Sequence, residues 1–335
     1  MAPHKPIRPR LVIITGLLLL AVALPTGLMS YRYREHRTIN VDHHLPGYAY
    51  AKLPTGLTHY ALQGPRRGAT AVLIHGTSIA SWTFDDLSDT LHAQQYRTLR
   101  YDALGRGHSE RPATPLSRQL LRDQLHQLLQ ALNITPPVIL VGHSLGGALA
   151  VDFAVHHPNT VSSVVLIAPV VNHVTAGAPY LICGLPLVSR PFARISLIPA
   201  LRKRNQAQWN AAHPAVDTAH YDKLFMMQAS FIGFADAICS LFQGDAVTDY
   251  RDTYAQLGRT DIPVLLVWGD GDTSISRENI TDALAHLPAS QYIEMPGIGH
   301  APHAESQESF NALLLDFLRQ HPAPTAPEAL GETGE

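Results

Sequence analysis

One stretch constrains this chain more than any other: residues 138–150 read VILVGHSLGGALA. A continuous apolar run, Val138 to Val141, meets Gly142-His143-Ser144-Leu145-Gly146, and small helix-forming residues follow at once. Apolar run, glycine-flanked turn and small-residue helix together predict a strand, a sharp turn and a helix, with Ser144 at the tip of the turn. The turn forces Ser144 into a sparsely populated backbone conformation, and side chains at 142 and 146 would strike the neighbouring strand and helix. A five-residue G-x-S-x-G match is common by chance, so its meaning depends on what surrounds it.

The surroundings alternate. Residues 48–62 read as a hairpin about Pro54-Thr55-Gly56, and 70–74 (TAVLI) as a strand buried on both faces. A helix over 81–96, a strand over 98–102 and a helix over 117–132 follow, the last with Leu121, Leu125, Leu128, Leu129 and Leu132 on one face. After the turn, a helix to about His157 and a strand over 161–168 continue the rhythm, which resumes with a strand at 262–268, a helix at 277–287 and a strand at 291–295. Such alternation predicts an α/β fold: a mostly parallel central sheet with helices on both faces, joined by right-handed crossovers. Ligands of such sheets bind beyond the carboxyl ends of the strands.

Between residues 170 and 260 the rhythm breaks into a mostly helical insertion. Its Phe225, Met226, Met227, Phe231, Phe234 and Phe242 are expected to form the insertion's own core, or, on another face, an apolar lid that would accept a greasy group. The expected boundaries are a core of 47–169 and 261–320, a helical cap of 170–260 and a disordered Pro-, Ala-, Gly- and Glu-rich tail of 321–335. Residues 1–31 are expected to be a membrane anchor: 11–29 read LVIITGLLLLAVALPTGLM, uncharged and flanked by arginines, long enough to cross a bilayer. The competing reading is a cleaved signal peptide that leaves a secreted or periplasmic protein, but the apolar run ends in a basic cluster, which suits an uncleaved anchor better. Positive charge on both sides leaves the orientation open. Residues 32–46 read as a polar linker, with His43 and His44 as solvated histidines rather than metal ligands. Cys183 and Cys239 match no zinc or redox spacing; buried thiols are favoured over a disulfide. A formal net charge of −2 offers no bulk attraction to nucleic acid.

Several loops after predicted strands carry chemistry. His75-Gly76-Thr77-Ser78 is a plausible source of backbone N–H donors, with Thr77 the candidate. Asp102 to Ser109 carries glycines but lacks a phosphate-binding pattern and reads as a structural turn. Gly269-Asp270-Gly271-Asp272 supplies a carboxylate that could orient a histidine, and His300 lies in a glycine-flanked loop; His303 is the weaker candidate base.

The order Ser144, Asp272, His300, with HG at 75–76, D-x-x-G-x-G-x-S at 102–109, GHSLGG at 142–147, G-x-x-D at 269–272 and GH-x-PH-x-E ending at Glu305, resembles the α/β-hydrolase superfamily over about residues 48–320. The resemblance implies Ser144 as nucleophile, His300 as base, Asp272 rather than Asp270 as acid, and oxyanion donors at the amides of Thr77 and Leu145. It implies neither cofactor nor metal. The expected activity is hydrolysis of carboxylic esters, esterase or lipase-like, on a small apolar ester or acyl substrate at a membrane. The alternatives are a C–C bond hydrolase, a lactonase or a proline-type peptidase on the same triad, or a non-catalytic binding module of the same fold.

Overall fold

The computed structural model describes residues 9–42, 45–172, 178–185, 187–212 and 217–324, with backbone alone at 9–19, 178–179 and 208–212. His43, His44 and the tail from residue 325 lie outside the described residues.

Helix α1 (Pro9–Arg32) comes first. Strands β1 (Ala49–Leu53) and β2 (Gly56–Gln63) form the predicted hairpin, closed at Leu53 opposite Gly56. Then β3 (Thr70–Ile74), α2 (Asp85–Ala93), β4 (Arg97–Tyr101), α3 (Arg118–Ala131), β5 (Val138–His143), α4 (Leu145–His156) and β6 (Val161–Ile167) alternate. The insertion contributes α5 (Ala178–Cys183), α6 (Ser189–Phe192), α7 (Ile198–Ala212), α8 (Thr218–Ala229), α9 (Phe234–Gln243) and α10 (Arg251–Leu257). The chain closes with β7 (Val264–Gly269), α11 (Arg277–His286), β8 (Gln291–Met295), α12 (Pro302–Glu305) and α13 (Gln307–Gln320).

The strands form one eight-stranded sheet in the order β1-β2-β4-β3-β5-β6-β7-β8. Only the β1/β2 and β2/β4 pairs are antiparallel; the rest are parallel. Continuous apolar runs suit the central strands because both faces are covered, and neighbouring residues divide between them. Val72, Leu140, Val164 and Leu266 pack with α3, α4 and α10, while Leu73, Val141, Val165 and Leu265 pack with α2 and α13.

The insertion has its own core. Phe225, Phe234 and Ile238 are buried in it, with Met226 and Phe242 packed against them. Its last helix differs: Tyr254 and Leu257 of α10, with Tyr250 just before it, are buried in the core of the sheet. Cys183 and Cys239 form a disulfide between α5 and α9, with Cα atoms 5.0 Å apart, in place of the buried thiols expected. Their sequence separation of 56 hid this contact from sequence spacing.

At the N-terminus two expectations change. The membrane-crossing helix expected within 1–31 is not supported: among the described residues no helix is long and apolar enough to cross a membrane. The linker expected over 32–46 is docked on the insertion at its start. Tyr33 is buried among the insertion's aromatic side chains. The Glu35 carboxylate accepts from Arg194 at 3.0 Å and from the Ala235 amide at 2.6 Å. Ile232 N–H donates to Arg37 O at 2.8 Å, and His36 N–H to Ser230 O at 2.8 Å.

Candidate active site

Strand β5 ends at His143, and Ser144 turns the chain into α4 with φ 56° and ψ −119°, a conformation that costs a non-glycine residue free energy. The turn holds because its neighbours over-determine it. Ser144 N–H donates to Ile167 O at 2.9 Å, and Ser144 O accepts from Gly147 and Val170. A Cβ on Gly142 would lie 2.3 Å from Gly146 O, and one on Gly146 would lie 2.0 Å from Ile74 O. Both glycines are therefore demanded by close backbone approach, as the sequence suggested.

Asp272 follows β7. Its Oδ1 accepts from the Ser274 and Ile275 amides at 2.6 and 3.0 Å, and its Oδ2 accepts from His300 Nδ1 at 2.7 Å. With Nδ1 protonated toward the carboxylate, Nε2 is left as the basic nitrogen of the ring. Ser144 and His300 line one small cavity with Gly76, Thr77 and Ser78, of about 10 Å³, room for about one water molecule. Asp270 takes another role: it accepts from the Gly297 amide and fixes the loop ahead of His300.

The two predicted amide donors flank the same serine. Leu145 is the first residue of α4, where backbone N–H groups have no intrahelical acceptor. Among the described residues, neither the Leu145 nor the Thr77 amide donates to a protein acceptor. The Thr77 loop is tied down from several sides. His75 Nε2 accepts from the Ala103 amide at 2.9 Å, so its Nδ1 carries the proton and donates to Gly76 O at 2.8 Å. Burial, only partly offset by Asp102 and the Gly76 bond, lowers His75 to about 4 and keeps it neutral. The buried Arg106 donates to Thr77 O; desolvation, and after it Arg111, lower its pKa to about 9.

Three histidine rings crowd the site. His143 lies between His300 and His303, with centroids 4.7 and 4.8 Å away, and donates from Nε2 to His300 O at 2.9 Å. Burial first, then its histidine neighbours, push its pKa well down. His303, the weaker base candidate, is buried against Phe84 and pairs with Thr83; burial lowers it to about 3. It does not line the cavity that Ser144 and His300 share. The Asp102 loop is a structural turn: Oδ1 accepts from the Ser81 amide and hydroxyl, Oδ2 from His59 Nδ1 and the His108 amide. Burial raises the Asp102 pKa, but His59 and the other donors outweigh it and hold it far below the usual carboxylate range. His59, Asp102 and His108 form the one group of potential metal ligands among the described residues, yet the carboxylate that would bind an ion is already filled by protein donors.

Sequence reasoning missed the part of four residues. Glu305 is buried, and its two oxygens accept from the Gly299 and Ala301 amides on either side of His300. Gln228 of α8 bridges the insertion to the loop of Thr77, donating to Ser78 O at 2.8 Å and accepting from the Gly107 amide at 3.1 Å. Arg204 and Asn205 of α7 line the serine cavity itself. Glu305 stood inside a recognised motif; nothing in sequence spacing marks the other residues, whose contacts span more than a hundred positions. A larger cavity of about 630 Å³, bordered by Trp82, Asp86, Tyr221 and Glu308, is not lined by Ser144, Asp272 or His300.

A buried, acid-oriented histidine beside a strained serine, under two unpaired amides, is suited to acyl transfer. Residues 71–313 match the model of the alpha/beta hydrolase family. The chain belongs to that family. Lipase 1 of Psychrobacter immobilis is 29% identical over 255 residues, covering 74% of this chain and 76% of the relative. The 2-hydroxy-6-oxononadienedioate/2-hydroxy-6-oxononatrienedioate hydrolase of Cupriavidus pinatubonensis is 27% identical over 255 residues, covering 74% and 86%. Among solved structures, the enol-lactonase from Burkholderia xenovorans LB400 superposes with a TM-score of 0.67 at 22% identity, over 81% of this chain and 99% of that one. The esterase RhEst1 from Rhodococcus sp. ECU1013 does so at 0.65 and 20%, over 82% and 99%.

Proposed function

We propose that this protein hydrolyses carboxylic esters through an acyl enzyme on Ser144. His300 Nε2 takes the hydroxyl proton as Oγ attacks the acyl carbonyl, and Asp272 holds the ring and stabilises the imidazolium. The Thr77 and Leu145 amides receive the oxyanion, each worth about 2.7–4 kcal/mol in such sites. His300 then protonates the leaving alcohol, and water, deprotonated by the same ring, releases the acid. The observation that carries this reading is the 2.7 Å bond between His300 Nδ1 and Asp272 beside a serine in a strained turn. The lipase and esterase names among the relatives support an ester substrate. The Cupriavidus relative's name supports C–C bond hydrolysis as the second reading.

The membrane remains part of the proposal. Leu20, Val22, Leu24 and Leu28 are exposed on α1, as are Leu181, Leu185 and Leu187 on the insertion to which the chain after α1 is docked. A lipid phase would cover such surface. The disulfide suits an oxidising compartment, which favours the catalytic domain on the extracytoplasmic side.

A fluorophosphonate probe tests the nucleophile, and a p-nitrophenyl ester series run beside a lactone and a proline-terminal peptide tests the substrate class. Labelling at Ser144 is expected, together with ester turnover that Ser144→Ala reduces by about 10⁴-fold or more while the far-UV spectrum is unchanged. Inactivity on every ester overturns the ester reading, and wild-type turnover by Ser144→Ala overturns the nucleophile.

A further inference from the structure

The wall of the serine cavity supplied by the insertion is polar. Asn205 of α7 is 5% exposed, and its Oδ1 accepts from Ser78 Oγ at 2.8 Å. Its Nδ2 is buried and has no partner among the described residues. A buried N–H donor without an acceptor is destabilising, so the cavity is incomplete until something supplies one. Arg204, the preceding residue, lines the same cavity as Ser144 and His300. The residue as a whole is exposed, so its long side chain has room to move as a ligand enters. Its guanidinium stands where desolvation lowers its pKa and the Asp272 charge raises it, and it stays cationic. It is the one permanent cation among the cavity's described lining residues, since burial keeps His143 neutral. Phe225, Phe234, Met226 and Phe242 belong to the insertion's own core, and none of its phenylalanines or methionines lines this cavity.

We propose that Arg204 and Asn205 form a carboxylate-binding subsite, and that the preferred ester bears a carboxylate, in its acyl or its alcohol part, a few bonds from the carbonyl that Ser144 attacks. The proposal rests on the reading of Ser144 as nucleophile and names the substrate class for it. A guanidinium donates two parallel N–H bonds to the two oxygens of a carboxylate, and the Asn205 N–H supplies a further donor. Binding there also satisfies the orphaned amide and anchors the substrate against the loop that carries Thr77, so that orientation and charge recognition come from the same contact.

The test uses the full chain in detergent with two matched pairs. The p-nitrophenyl monoester of glutaric acid is set against p-nitrophenyl valerate, and the butyryl ester of glycolic acid against ethyl butyrate. In at least one pair the acid is expected to have the higher kcat/KM by about tenfold, mainly through KM. Arg204→Gln removes that preference, and Arg204→Glu turns it toward an ammonium-bearing ester. Equal or better turnover of the neutral member in both pairs, or a preference that survives Arg204→Gln, overturns the subsite. Fluorophosphonate labelling of each variant runs in parallel: labelled Ser144 without acid preference sinks the subsite alone, whereas no adduct in the wild type sinks the hydrolase reading beneath it.

Discussion

A carboxylate as buried as Glu305, 2% exposed, is rare unless its oxygens are filled, and here they are filled by the amides that bracket His300. Burial raises its pKa, while the two backbone bonds pull the other way. Glutamine in its place keeps one acceptor and turns a donor against an amide, so the histidine loop loosens while the serine stays put. Glu305→Gln is expected to lower kcat by about tenfold with little change in KM, and to shift the acid limb of the pH–rate profile that His300 sets. An unaltered kcat and limb would assign Glu305 to packing alone. The same scale shows what a single sequence can reveal. Ser144 and Asp272 could be singled out because each follows a strand that announces itself by its apolar run, and His300 because it lies in a glycine-flanked loop after the last strand. Arg204, Asn205 and Gln228 were not, because an exposed or amide residue on a helix carries no mark of the cavity it will meet.

Among the elements, the helical insertion is where the sequence said least. The break in the alternation of strands and helices separated it from the sheet, but the packing partners of its faces are set by contacts far apart in the chain. The disulfide joining α5 to α9 closes a loop of 56 residues, which limits the disorder available to the unfolded insertion. Replacing both cysteines, Cys183→Ala with Cys239→Ala, is expected to cost about 2–4 kcal/mol of stability, and melting with and without reductant reads it directly. Identical curves for the wild type under both conditions would mean the bond does not form. The segment after α1 is a second brace. The side chain of Glu35, 5% exposed, holds Arg194 and the start of α9 together, so Glu35→Ala leaves buried donors unpaired. A loss of about 1.5–3 kcal/mol is expected in denaturant titration. Soluble versions that begin at residue 38 should show the same loss, and those that begin at residue 31 should not. If both behave alike, the docking of residues 33–37 contributes nothing to the fold.

At the scale of the whole molecule, the mostly parallel sheet was readable because strands covered on both faces leave continuous apolar runs. What the runs could not report is how many histidines the finished core would keep neutral. His75 titrates near 4, chiefly because burial disfavours its charged form, with Asp102 and the Gly76 bond opposing that shift. His303 titrates near 3, from burial and then the His300 charge. In the unfolded chain both return to about 6.5. Between those values the unfolded state binds more protons than the folded one, so acid favours unfolding and stability rises with pH up to about 6.5, beyond which these two histidines add no further slope. Each contributes up to about 1.4 kcal/mol per pH unit inside its window. Carboxylates titrate mostly below this range, so the interval from about pH 6.5 down to 4.5 isolates the histidines. The urea midpoint of the full chain is expected to fall across that interval, and His303→Leu, which substitutes an apolar side chain among Phe84 and Phe310, is expected to flatten the fall by one proton's share. A slope that His303→Leu leaves unchanged would show that His303 is not held neutral in the folded protein. The active site would then contain a second titratable ring within reach of His143 and His300, and the assignment of the acid limb to His300 alone would have to be withdrawn.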